Sequence, residues 1–376
     1  MSAYHRSFAR IDLDAIRRNF YSLKSLLPPT VKVMAVVKAD AYGHGSIPVA
    51  RFLERDADWF AVACVDEGVT LRKGGIQKPI LILGYTNPAE YPLLLEYDLA
   101  TALFSEADGE ALSRVAVEAG KKARIHLKVD TGMGRIGLPS DEKGVESAVR
   151  IARLPGILTE GLFSHYACAD ASDKKSAMEQ KARFDLFSAA LEKRGVSIPL
   201  KHLSNSAASM EEGFEPYDLC RFGIALYGHY PSDEVDKSRA VLCPAMTVCS
   251  HVSFVKRVPA GTPISYGHTY VADSERVLAT VSIGYADGFP RSFSGGVGSV
   301  LIRGKRCRVV GRVCMDQIIV DATDLPEISV GDLVTVLGRD GKEEISAEEF
   351  GALSHSFPYE VLCSFMPRVT RIYEDF

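Results

Sequence analysis

Eight short apolar runs restrict the fold of this chain more than any other feature. They cover residues 33–37, 59–64, 79–83, 100–104, 124–129, 158–165, 200–204 and 220–227. Most are rich in branched or aromatic side chains and end at Gly, Pro or polar residues. That is the pattern of strands covered on both faces in a parallel sheet. Amphipathic segments lie between them, the clearest at 181–191 with Phe184, Phe187 and Leu191 on one face. Eight β-then-α units in roughly 210 residues fit an α/β fold, a (β/α)8 TIM-type barrel. A doubly wound open sheet also alternates and is the competing architecture, but even spacing favours closure.

Near Val241 the pattern changes. Short β-branched runs at 252–258, 277–283, 299–302, 307–313, 317–321 and 333–337 are separated by Gly, Pro and Asp turns. This predicts a mainly-β C-terminal domain of about 135 residues. The expected division is a barrel over 14–240 and a β domain over 241–376. Residues 7–13 alternate as a strand with no place in the barrel, so the 1–13 segment is expected to join the β domain. Asp12 or Asp14 would cap the helix that follows, which carries Ile16, Phe20, Leu23 and Leu27 and stops at Pro28-Pro29.

A net charge of -4 in 376 residues argues against nucleic acid as partner. No apolar run approaches the ~20 residues of a membrane helix, and no apolar signal core follows Met1-Ser2-Ala3. The eight cysteines form no CxxC pair and most lie in apolar runs. They read as reduced core residues of a cytoplasmic protein, and no metal site is expected.

Barrel chemistry lies at the C-terminal ends of the strands. The first end reads Val37-Lys38-Ala39-Asp40-Ala41-Tyr42-Gly43-His44-Gly45. A lysine there is costly unless used, and a neutral lysine can form a Schiff base or act as a base. Alone, the stretch fits equally well a lysine that reaches back to water. Further ends carry Lys128 to Arg135, Ser164-His165-Tyr166, His202-Leu203-Ser204-Asn205-Ser206 and Arg221-Phe222-Gly223-Ile224. The last two ends are where barrels commonly hold phosphate, and Asn205, Ser206 and Gly223 offer polar groups for it. A Schiff-base lysine beside a phosphate site indicates pyridoxal phosphate. Arg221 is placed to face the pyridine nitrogen. Because arginine keeps its proton, that nitrogen would stay unprotonated, a weak electron sink suited to simple proton exchange. Each residue also has a plainer role: His165 as a satisfied core histidine, Arg135 as a surface residue, Lys128 in a salt-bridged strand end, and Tyr266, Tyr285 and Tyr359 as packing aromatics.

The ordered motifs resemble the alanine racemase family from end to end. They are the Lys38 stretch, Lys128-Val129-Asp130-Thr131-Gly132-Met133-Gly134-Arg135, Asn205-Ser206-Ala207-Ala208, Arg221 to Gly228, Ile264-Ser265-Tyr266-Gly267, Gly284-Tyr285-Ala286-Asp287-Gly288, Gly311-Arg312-Val313-Cys314-Met315-Asp316 and Pro358-Tyr359-Glu360. The resemblance implies interconversion of L- and D-alanine for peptidoglycan by two bases, Lys38 and Tyr266. Lys38 would carry pyridoxal phosphate, and Tyr42, Ser206, Gly223, Ile224 and Tyr359 would hold its phosphate. Asn205 would lie beside it and His165 against the ring. Arg135 and Met315 would meet the substrate carboxylate, and Lys128 matches a position often N-carbamylated. Tyr266 would reach the other subunit of a homodimer, with His165 and Arg221 as its positive partners. Asp170, Tyr285, Arg291 and Arg312 match positions lining the substrate corridor. Ser164 and Tyr166, in place of Thr and Phe, and Phe357 before Pro358 depart from the family pattern. Three alternatives stay open: a serine/alanine racemase, a barrel-type amino-acid decarboxylase, and a non-catalytic cofactor carrier.

Overall fold

The computed structural model describes residues 5–374. Residues 1–4 and 375–376, which belong to the expected β domain, lie outside the described residues. The chain divides into two compact units, one of residues 15–41 and 45–243, the other of 1–14, 42–44 and 244–376.

The first unit is a parallel barrel. Its sheet runs Leu219–Phe222, Lys32–Val36, Trp59–Val62, Ile80–Ile82, Ala100–Leu103, Ala123–Asp130, Ile157–Phe163 and Leu200–His202. The ring is completed by two backbone bonds, from Asp218 N–H to the Lys201 carbonyl at 3.0 Å and from Arg221 N–H to the Ser204 carbonyl at 3.1 Å. Closure leaves no sheet edge to protect and seals the strand interiors against solvent. Val33, Ala35, Phe60, Ile80, Ile125 and Leu162 are fully buried. The last strand is shorter than the apolar run that announces it: it ends at Phe222, and Ile224–Tyr227 is a 3-10 turn. That turn is as buried as a strand, so hydrophobicity alone does not distinguish them.

In the second unit the long strand Met246–Val258 is central. Ser7–Asp12 pairs antiparallel to it, with Ala9 opposite Val248, and parallel to Thr370–Glu374. Two short helices, Ala347–Ser354 and Pro358–Ser364, interrupt the β pattern. All eight cysteines are free, but only Cys220, Cys249 and Cys307 are buried. Cys64 corrects the expectation of a cysteine core. The strand stops at Val62, and Cys64 stands exposed at the start of the helix Val65–Lys73.

Candidate active site

The barrel unit gathers Lys38, Lys128, Arg135, His165, Asp170, Asn205, Ser206, Arg221, Gly223 and Ile224. Lys38 begins a turn rather than ending a strand. Residues 39–42 all have φ between 52° and 55°, in the left-handed region. For Ala, Asp and Tyr this costs about 1–2 kcal/mol each. Local bonds offset the cost. Glu67 accepts from the N–H groups of Ala39 and Ala63, both at 2.7 Å, and the Asp40 carboxylate accepts from Ser46 N–H at 2.7 Å.

Arg221 is enclosed in the barrel, 4% exposed. Its Nη1 donates to His202 Nδ1 at 2.8 Å and to the His202 carbonyl at 3.1 Å. Its Nη2 reaches the carbonyls of Ser164 at 2.9 Å and Leu203 at 3.0 Å, and His165 Nδ1 at 3.1 Å. None of these bonds uses the Nε–H. Burial brings this guanidinium down to about 10, still charged at neutral pH. A guanidinium only donates, so both histidine nitrogens facing it must accept. His165 is pulled well below the ordinary histidine range by burial and then by Arg221, Lys128, Arg135 and Lys38. This corrects the expectation that His165 and Arg221 act as two positive partners: His165 is neutral, and the charge belongs to Arg221.

Lys128 is 3% exposed and its Nζ lies 4.9 Å over the Phe163 ring. That nitrogen is buried with no hydrogen-bond partner among the described residues. Burial first, then Arg221, pushes its pKa down to about 7, against the opposing pull of Asp130. Asp130 is not its salt-bridge partner. The carboxylate instead accepts from Gly132 and Gly134 N–H at 2.9 and 3.1 Å, folding the loop that presents the exposed Arg135. The Ser206 hydroxyl accepts from Gly223 N–H at 2.8 Å, while the Asn205 side chain caps the helix Ser206–Met210 through Ala208 N–H at 3.0 Å. Ile224 is buried beside Gly223, and Asp170 is half-buried.

The second unit gathers the remaining expected residues. Tyr42 and Tyr359 face each other with ring centroids 6.3 Å apart, and burial pushes the Tyr42 phenol up. Tyr266 follows Ser265, whose hydroxyl donates to the Arg312 carbonyl at 2.8 Å. Tyr285 and Ala286 donate their N–H groups to the carbonyls of Cys314 at 3.1 Å and Met315 at 3.0 Å. Only glycine fits at 284, since a Cβ there would lie 2.4 Å from both carbonyl oxygens. Ser294 ties the Arg291 carbonyl to Val313 N–H. Tyr266, Met315 and Tyr285 are 68%, 52% and 42% exposed, large apolar groups that the unit does not bury.

Two supporting sets were not singled out from the sequence. One is His126, whose Nδ1 lies 2.8 Å from His202 Nε2. His126 and Lys128 are two residues apart on one strand and so share a face, a signal available in the sequence. The other is the fully buried Asp287, held by Gly284 N–H, Arg6 and Arg368; Arg368 also pairs with Asp316 at 2.7 Å. Asp287 stands in the Gly284 to Gly288 motif, but Arg6 and Arg368 lie far from it in sequence, so neither ion pair left a local signal.

Residues 11–231 match the alanine racemase N-terminal domain and residues 245–373 the alanine racemase C-terminal domain. The alanine racemase of Methanococcus maripaludis is 44% identical over 370 residues, 98% of this chain and 99% of the relative. An alanine racemase structure from Clostridium difficile 630 superposes with a TM-score of 0.95 at 39% identity, covering 100% of this chain and 97% of its own. A histidine racemase from Leuconostoc mesenteroides subsp. sake has the same fold, with a TM-score of 0.91 at 27% identity over 100% of this chain and 99% of its own. With both domains matched in order and long relatives agreeing, the chain belongs to the alanine racemase family.

Proposed function

We propose that this protein interconverts L- and D-alanine with pyridoxal phosphate, in the cytoplasm and in the service of peptidoglycan synthesis. The observation that carries the reading is the enclosed Arg221, a permanent cation whose Nη groups are spent on the barrel and whose Nε–H is not. The chain fits the cofactor. Lys38 would bind it covalently. Ser206, Gly223, Ile224, Tyr42 and Tyr359 would hold the phosphate, with Asn205 bracing Ser206 by capping its helix. His165 would lie along the ring and Arg221 would meet the pyridine nitrogen without protonating it. When bound, the cofactor would supply the electron sink that makes the substrate α-proton acidic.

The residues then divide the work. Arg135 and the Met315 backbone would hold the substrate carboxylate, and a carbamylated Lys128 would turn a buried cation into an anion able to orient Arg135. Lys38 would exchange a proton on one face of Cα, and Tyr266 of the partner subunit on the other. Residues 14–240 would form the cofactor-binding barrel and 241–376 the β domain. The exposed Tyr266, Met315 and Tyr285 support a homodimer through that domain. Asp170, Tyr285, Arg291 and Arg312 would line the substrate corridor.

Alanine is favoured over a larger substrate because relatives near 40% identity are alanine racemases, whereas the histidine racemase stands at 27%. The test is a chiral assay with L-alanine, D-alanine, L-serine and L-histidine in the presence of pyridoxal phosphate. Alanine should show the highest kcat/KM. Faster turnover of histidine, or carbon dioxide release in place of racemisation, would overturn the assignment.

A further inference from the structure

The barrel interior holds a polar line where a structural barrel would hold Val, Ile or Leu. His126 and His202 are fully buried and lie on different strands. Arg221 Nη1 is 2.8 Å from His202 Nδ1, and His202 Nε2 is 2.8 Å from His126 Nδ1. The protons along this line follow from the donor at its end. Arg221 can only donate, so His202 Nδ1 accepts and His202 carries its proton on Nε2. That N–H needs an acceptor, and His126 Nδ1 is the one present. The backbone makes room for it. The pairing of strands Ala123–Asp130 and Ile157–Phe163 shifts register between Ile125 and His126, which sets Gly161 opposite His126. A Cβ at position 161 would lie 2.2 Å from His126 Nδ1. The Trp59 ring stands nearly edge-on to His126 at 5.0 Å, and Phe163 stacks on His202 at 4.8 Å and 7°.

We propose that His126 is a positioning residue for the reaction: by accepting from His202 Nε2–H it secures the tautomer that Arg221 imposes on His202, and the ring so held keeps Arg221 in the orientation that the pyridine nitrogen needs. Without an acceptor at position 126, the tautomer that suits Arg221 leaves a buried Nε2–H unpaired and loses its advantage over the other. The other tautomer sets an N–H against the Arg221 N–H, donor against donor, and the guanidinium has to move. The kinetic consequence rests on the role proposed above for Arg221; the tautomer of His202 does not.

The experiment uses the holoenzyme labelled with 15N-histidine, read by long-range 15N–1H NMR, alongside steady-state kinetics. Wild-type His202 should appear as a neutral imidazole protonated on Nε2. His126→Leu should leave a mixture of His202 tautomers and lower kcat by about 10- to 100-fold, with KM for alanine unchanged within about twofold. His126→Asn, whose Oδ1 supplies an acceptor near the place of Nδ1, should recover the single tautomer and most of kcat. Gly161→Ala keeps every polar group but displaces the ring, and should behave as His126→Leu does. Finding wild-type His202 protonated on Nδ1 overturns the proposal without any variant. So does a His126→Leu enzyme with an unchanged tautomer, or one with a changed tautomer and unchanged kcat. If His126→Leu does not fold, the wild-type spectrum and Gly161→Ala decide. Wild-type enzyme that binds pyridoxal phosphate but does not racemise alanine would refute the function, while the tautomer measurement would still judge the His126–His202 contact.

Discussion

Lys128 offers a measurement in which charge, burial and carbon dioxide can be separated. As a free amine its folded pKa is about 7, against 10.5 for an ordinary lysine. Between those values the unfolded chain holds a proton that the folded chain lacks, so stability rises with pH. The cost is absent above pH 10.5, grows as the pH falls, and levels off below 7. It amounts to about 4 kcal/mol at pH 7 and about 1 kcal/mol at pH 9.5. Lys128→Met keeps much of the contact with Phe163 but cannot titrate. In buffer stripped of carbon dioxide the variant should therefore exceed wild type at pH 7, and the difference should shrink by about 3 kcal/mol on going to pH 9.5. With bicarbonate the order should reverse. The neutral amine attacks carbon dioxide, an N–C bond forms, and a proton leaves to solvent, giving an anion beside Arg221 and Arg135. Removing that anion should cost about 3 kcal/mol. Urea melts of the two proteins with and without bicarbonate measure both effects, and 13C-bicarbonate should give a carbamate resonance absent from Lys128→Met. A wild-type-to-variant difference that ignores both bicarbonate and pH, with no carbamate resonance, would refute this account of the site.

Three other outcomes are expected. Lys38→Ala and Tyr266→Phe should each be nearly inactive alone, yet regain activity when co-refolded, because one site of the mixed dimer holds both bases; verified heterodimers as inactive as their parents would rule out bases from two chains. Arg221→Glu should slow racemisation and lengthen the life of a long-wavelength absorption band seen in rapid mixing, and an unchanged rate and spectrum would remove Arg221 from the cofactor. Glu67→Ala removes the acceptor for Ala39 and Ala63 N–H and should destabilise the fold by about 2 kcal/mol in urea melts and weaken pyridoxal phosphate binding in titrations; cofactor affinity equal to wild type would show that the Lys38 turn does not depend on Glu67.

The barrel was legible because its strands are short, apolar and covered on both faces, and because the closing bonds at Asp218 and Arg221 need no special sequence. The left-handed turn after Lys38 was not legible. Gly43 and Gly45 mark a turn, but nothing in Ala39-Asp40-Ala41-Tyr42 specifies φ above zero, and part of the support comes from Glu67, 28 residues away. The helix Ala347–Ser354 did carry a local signal: Ser346 accepts from Glu349 N–H at 3.1 Å, and Pro358 opens the next helix. Both helices are short and lie in a β-rich stretch, where the strand pattern outweighs a cap.

The polar interior shows why composition hid the site. The whole chain is acidic by four charges, yet the charged groups that act on His165 are Arg221, Lys128, Arg135 and Lys38, all cationic. The nearby carboxylate of Asp130 is occupied by the N–H groups of Gly132 and Gly134 rather than by a cation. Like charges held together in a poorly solvated barrel repel one another, and the depressed pKa of Lys128 records that strain together with the cost of burial. Such an arrangement gains stability when anions enter it. A phosphate, a substrate carboxylate and a carbamate each bring negative charge, so ligand binding and folding stability should rise together. Arg221 is the exception, already spent on three carbonyls and two histidines. Its charge is fixed by the barrel before any ligand arrives, as the place proposed for it beside the pyridine nitrogen would require.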